Sequence, residues 1–138
     1  NDIGTLIVGH SVDQKQSVNM GKANNQKFVQ IPFDQLRTYL KTLCERYGIA
    51  YIETEESYTS KASFLDGDAI PVYDTKHTYA GSFSGKRIKR GLYNTKENTL
   101  VNADINGACN IAKKGKQNLS FEGLCRGLLA SPLRIRIA

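Results

Sequence analysis

The amino-acid sequence predicts an α/β protein with a mixed or parallel sheet, flanking helices and an inserted β-hairpin region. Three observations lead there. Two short, partly β-branched apolar runs, Thr5 to Val8 and Ile49 to Thr54, bracket a helical pattern, which is the order of a crossover unit with parallel strands. A glycine-punctuated stretch rich in aromatic residues follows them, and a second helical pattern comes after that.

Thr5 to Val8 is bounded by Gly4 and Gly9 and reads as a buried strand. Residues 10 to 27 are polar and rich in glycine and asparagine, the composition of a long loop. Pro32 then opens a helix in which Leu36, Tyr39, Leu40, Leu43 and Tyr47 recur at three- and four-residue spacing, with Gly48 as its stop. Ile49 to Thr54 is the second strand. From Ser57 to Asn102 the pattern breaks at Gly67, Pro71, Gly81, Gly85 and Gly91. That stretch reads as an excursion whose Lys86 to Tyr93 and Thr99 to Val101 are hairpin arms joined through Asn94 to Asn98. Asp104 to Lys114 is the second helix, with Ile105, Ala108, Cys109 and Ile111 on one face and Lys113 and Lys114 at its C-terminal end. The tail closes on Leu133 to Ile137, whose alternation fits an edge strand or a basic end. These elements divide the chain into residues 1–56, 57–102 and 103–138.

With 138 residues, 40% of them hydrophobic and 23% charged, the composition is that of one globular domain or part of one. No apolar run approaches the roughly 20 residues of a membrane span, and the expected location is cytoplasmic. Cys44, Cys109 and Cys125 are odd in number and lie far apart among apolar neighbours, so they are expected as reduced core thiols. The net charge of +6 is unevenly placed. Glu53 to Asp74 holds six acids against Lys61, whereas Thr75 to Lys96 holds six bases and no acid. A basic excess favours a polyanionic partner through counterion release, and an acidic block beside it suggests a place that holds cations.

Two strings carry the chemistry. Glu55-Glu56-Ser57-Tyr58-Thr59-Ser60-Lys61 stands where the second strand ends, and carboxylates at the C-terminal edge of a parallel strand face the crevice where open α/β sheets place ligands. Asn102-Ala103-Asp104-Ile105-Asn106-Gly107-Ala108-Cys109-Asn110-Ile111 sets Asp104 at a helix start, where an aspartate also serves as a cap worth about 1 kcal/mol. If the two strings meet, two hard oxygen ligands converge. Phosphodiester chemistry with divalent ions uses such sets to clamp attacking and leaving oxygens. His10 and His77 have no triad partners nearby in sequence and are expected to be solvated or structural, His10 in the loop after the first strand.

The same two strings, a glutamate before Tyr-Thr-Ser-Lys and an Asp-Ile-Asn-Gly-Ala-x-Asn-Ile helix start, resemble hallmarks of the TnpB-like (OrfB) transposase family over residues 3 to 114. The resemblance implies the C-terminal part of such a protein: a partial RNase H-like (RuvC-like) fold with an insertion replacing a zinc ribbon. The implied parent is a transposon-associated, RNA-guided DNA endonuclease using Mg²⁺ or Mn²⁺ in a bacterial or archaeal cytoplasm. Asp104 matches the family's last RuvC aspartate, a metal ligand. The middle acid would stand at the end of the first strand, where this chain has Gly9. Some relatives carry it just before Tyr-Thr-Ser instead, so Glu56 takes the role, with Glu55 and Glu53 as weaker substitutes. The catalytic and metal-ligating residues are therefore expected to be Glu56 and Asp104, and the nucleic-acid contacts Lys61, Lys86, Arg87, Lys89 and Arg90.

The family's two Cys-x-x-Cys pairs are replaced by Ala62-Ser63-Phe64-Leu65 and Arg87-Ile88-Lys89-Arg90, so no zinc site is expected. Phe64, Tyr73, Tyr79, Phe83 and Tyr93 are left to form a small core, or to stack bases beside the basic segment. The first RuvC aspartate belongs to an earlier strand than any in this sequence. Inactivity of the chain alone is thus expected, with an exposed sheet edge that favours a homodimer. The rival expectations are a non-catalytic DNA- or RNA-binding module, and a metal-free protein-interaction domain.

Overall fold

In a computed structural model, residues 3–11, 32–76 and 79–121 are described. β1 (Thr5–His10) and β2 (Ala50–Glu55) form a parallel pair in the register Thr5↔Ala50 to His10↔Glu55. Between them in sequence lies α1 (Phe33–Arg46), which packs on β2. The mixed α/β class and the strand, helix, strand order read from the sequence are both present. β1 runs on through Gly9 and His10, so His10 is a strand residue rather than part of the following loop.

α1 begins without a side-chain cap: Pro32 takes the cap position, and its carbonyl accepts from the Leu36 N–H at 2.9 Å. It ends where a left-handed residue is needed. Gly48 has φ +67°, and the Ile49 N–H returns to the Cys44 carbonyl at 2.8 Å, the reverse turn that only glycine makes without strain. The expected apolar face is only partly used. Cys44 is buried, while Leu36, Tyr39 and Tyr47 are exposed. β1 is likewise half-buried throughout rather than buried, since the described elements give it one neighbouring strand.

The stretch from 57 to 102 holds one antiparallel sheet of β3 (Lys86–Lys89), β4 (Leu92–Asn94) and β5 (Leu100–Asn102), in that order. The hairpin expected from Lys86 to Tyr93 against Thr99 to Val101 is thus a three-stranded meander. The first arm folds back on itself at Gly91, whose φ of +74° admits the tight turn. α2 (Ala103–Gly115) follows β5 directly and packs on β1, β2, β4 and β5, so it is the piece that joins the two sheets. Tyr93, Val101 and Ala103 form the buried cluster, with Ile105 and Cys109 against it; Ala108, expected on the buried face, is exposed.

Of the aromatics expected as a small core, only Tyr93 is fully buried, with its hydroxyl donating to the Lys61 carbonyl at 2.8 Å. A carboxylate ties the first of the segments where the resemblance places zinc-binding pairs to Ser84, which precedes the second. Asp68 Oδ2 accepts from the backbone N–H of Ser63 at 2.8 Å and of Ser84 at 3.0 Å, and Oδ1 accepts from the Ser84 hydroxyl at 2.5 Å. Burial opposes that charge, yet the bonds from Ser84 and Ser63 together hold the Asp68 carboxyl below its ordinary value. Cys44 and Cys109 are free thiols, and burial pushes the Cys109 thiol up. Cys125, His77, most of the loop at 10–27 and the tail strand at Leu133 to Ile137 lie outside the described residues.

Candidate metal and nucleic-acid site

The loop after β2 and the start of α2 meet. A cleft of about 340 Å³ is lined by Glu56, Thr59 and Ser60 from the loop, by Asp104, Gly107 and Ile111 from α2, and by Arg87 from β3. Both acids singled out from the sequence are therefore among the residues that line one cleft.

Two asparagines of α2, four residues apart and so on one face of the helix, hold the loop in place. Asn106 donates to the Ala62 carbonyl at 2.8 Å and accepts from the Phe64 N–H at 3.0 Å. Asn110 donates to the carbonyls of Thr59 at 2.9 Å and Ala62 at 2.8 Å. Both are buried to 2% exposure or less, so they cannot exchange these partners for water. Within the loop, Tyr58 adopts φ +66°, and Thr59 caps back onto the Glu56 carbonyl through its N–H and its hydroxyl. The sequence reading passed over Asn106 and Asn110. Their signal was present as two amides at helical spacing inside an otherwise apolar run.

At the first strand's end, a Cβ built on Gly9 would lie 2.8 Å from Ile111 Cδ1 and 2.9 Å from Glu56 Oε2. The Glu56 carboxylate thus fills the volume that a side chain on residue 9 would enter. The other acids of the strand are engaged elsewhere. Glu53 accepts from the Tyr51 hydroxyl at 2.9 Å and faces Arg37 at 3.8 Å. Glu55 pairs with Lys114, whose ammonium also reaches the carbonyls of Ser57 and Pro71 at 3.2 Å each. Burial opposes the Glu55 charge, but Lys114 and Ser57 outweigh it and keep its carboxyl low.

Asp104 is not the helix cap that its position suggested. Asn102 caps α2, its side chain accepting from the N–H groups of Asp104 at 2.9 Å and Ile105 at 3.0 Å. The Asp104 side chain is left 82% exposed, within 3.8 Å of the Arg87 guanidinium. Arg87 reaches it from a strand whose register shifts between Arg87 and Lys89, an irregularity of the kind that re-aims a side chain. Lys86, Arg87, Lys89 and Arg90 are all exposed, as is Lys61.

The cleft offers hard oxygen donors to a cation. Two carboxylates suit Mg²⁺, which keeps several waters and is held by one or two carboxylates plus phosphate oxygens, better than they suit a fully caged ion. Among the described residues no group of three or more His, Cys, Asp or Glu side chains comes together as a metal cage. A family model described as Cas12f1-like, TNB domain, matches residues 33–111, a span that includes both acids, the insertion and most of α2. No curated protein and no solved structure matches the chain.

Proposed function

We propose, from the premise that the chain belongs to the Cas12f1-like TNB-domain family, that it supplies part of the RuvC-like active centre of a transposon-associated, metal-dependent DNA endonuclease. The TnpB-like resemblance extends the proposal to a parent whose target is chosen by a guide RNA. The observation that carries it is the meeting of Glu56 and Asp104, remote in sequence, in one cleft, with Glu56 in the space beside Gly9.

In this reading Glu56 and Asp104 hold Mg²⁺ or Mn²⁺. When bound, the ion supplies charge stabilisation for attack on a phosphodiester. Arg87, now paired with Asp104, neutralises a phosphate of the incoming strand, while Lys61, Lys86, Lys89 and Arg90 provide the surrounding positive field. Thr59 and Ser60 shape the wall of the cleft. Two carboxylates are fewer than a two-ion clamp uses, so the chain by itself binds ion and DNA but does not cleave at an appreciable rate.

Titration with Mn²⁺, followed by electron paramagnetic resonance, tests the reading. Saturable binding is expected in the wild type, and Glu56→Gln and Asp104→Asn should each weaken it about tenfold or more, the factor given by a loss of roughly 1.4 kcal/mol. Absent saturation, or variants that bind like the wild type, the enzyme reading is lost. A second reading, a nucleic-acid-binding module without catalysis, is favoured by the Arg87–Asp104 pair itself, because a guanidinium beside the acid already balances its charge. That reading requires wild-type DNA affinity to be the same with and without divalent ions.

A further inference from the structure

Three aromatic rings gather beside the cleft. Tyr58 and Tyr79 meet edge to face with centroids 5.6 Å apart, Tyr79 and Phe83 lie 5.3 Å apart, and Tyr58 and Phe83 lie 6.3 Å apart. Their arrangement is fixed by the backbone. The left-handed φ of +66° at Tyr58 is costly for a large side chain, and the Tyr79 N–H approaches the Tyr58 hydroxyl at 3.4 Å. A Cβ on Gly81 would fall 2.3 Å from the Tyr79 ring, so the ring is seated against bare backbone. Despite these contacts Tyr79 keeps 38% of its surface exposed, so part of the ring is open to a ligand.

The surroundings are cationic. Lys61 Nζ stands 6.0 Å from the Tyr58 ring centre, and the exposed Lys86, Arg87 and Lys89 follow Phe83 in the next strand. The cluster adjoins two of the three chain segments that build the cleft. Tyr58 lies within the loop that gives Glu56, Thr59 and Ser60 to the cleft, and Phe83 leads into the strand that gives Arg87.

We infer that Tyr58, Tyr79 and Phe83 form a stacking platform for an unpaired base of single-stranded DNA, with Tyr79 as the ring the base covers and Lys61 and β3 taking the flanking phosphates. Base stacking on an exposed aromatic accounts for about 1–3 kcal/mol per base and tolerates any sequence, since every base has a π-face. The choice of DNA rests on the proposed function, in which a DNA strand crosses the adjoining cleft.

The test uses the whole chain, EDTA throughout, and a labelled mixed-sequence single-stranded DNA of a dozen or so nucleotides beside the same backbone made fully abasic. EDTA separates the outcome from the metal reading: stacking can fail while Mn²⁺ binding stands, and the reverse. Tyr79→Leu keeps an apolar side chain and removes the ring; Tyr79→Phe keeps the ring. Tyr79→Leu should weaken binding of the base-containing strand by roughly 5- to 150-fold, the range corresponding to 1–3 kcal/mol. It should leave the abasic strand unchanged, and Tyr79→Phe should match the wild type on both. Equal affinities of the Leu and Phe variants for the base-containing strand would overturn the inference. So would a loss shared equally by the abasic strand, or a base-dependent loss seen with RNA of the same sequence and absent with DNA.

Discussion

Gly9 and Glu56 complement one another at the level of single side chains: where one residue has no Cβ, the other's carboxylate occupies the space. Gly9→Ala is therefore expected to push against Ile111 and Glu56 together, lowering stability by about 1–3 kcal/mol as overpacking does and weakening Mn²⁺ binding in the same protein. Chemical denaturation and metal titration of that variant check the two halves, and a variant with wild-type values in both would show that the volume is not shared. Arg87 gives a prediction of a different kind. Its pair with Asp104 is half in solvent, 47% and 82% exposed, so its loss should barely move stability. Arg87→Ala should instead reduce DNA affinity and lower the slope of log affinity against log salt by about one, measured by fluorescence anisotropy across a salt series.

Among the elements, α2 does most to build the site, because its buried face is polar where it meets the loop and apolar where it meets the strands. Asn110→Ala would leave the Thr59 carbonyl without its amide partner in a place water does not reach, and should cost about 1–3 kcal/mol by equilibrium unfolding. At the other end, Lys114→Met would strand the Glu55 carboxylate, 17% exposed, without its cation, a change expected to cost about 3–5 kcal/mol. The α1–β2 unit was legible because its signals are local: the spacing of Leu40 and Leu43, and a glycine where a left-handed turn ends the helix. The insertion was less legible. The turn at Gly91 splits what reads as one long strand, and the tie at Asp68 joins Ser63 to Ser84 through a contact that no periodicity records.

For the molecule as a whole, Asp68 and Glu55 make stability depend on acid. Both carboxyls are held below their ordinary values in the fold, so the stability they contribute is present above the unfolded carboxylate pKa of about 4 and is lost as pH falls through the lower folded values. A melting temperature that is flat near neutrality and drops below about pH 4 is expected, and Asp68→Asn should shallow that drop. A drop of equal steepness in the variant would place the acid sensitivity elsewhere. Among the described residues no helix is long and apolar enough to cross a membrane. The described sheet of β1 and β2 has two strands, and Leu36 and Tyr39 on α1 and Tyr47 just after it stand exposed. Self-association through this side is the proposal for the isolated chain, and sedimentation at rising concentration should show a dimer; a monomer at every concentration removes it.

Sequence by itself determined the α/β class, the helix that ends at Gly48 and the start of the second helix within a residue. Each of those is written in neighbouring residues, through periodicity, a turn requirement or a motif. Only the tertiary structure decided that Asp104 is freed from capping by Asn102, that Glu55 is consumed by Lys114 while Glu56 turns to the cleft, and that Tyr58 joins Tyr79 and Phe83. Those outcomes depend on which of several chemically equivalent side chains meets a partner from a distant segment, and that is settled by packing through space, not by order along the chain.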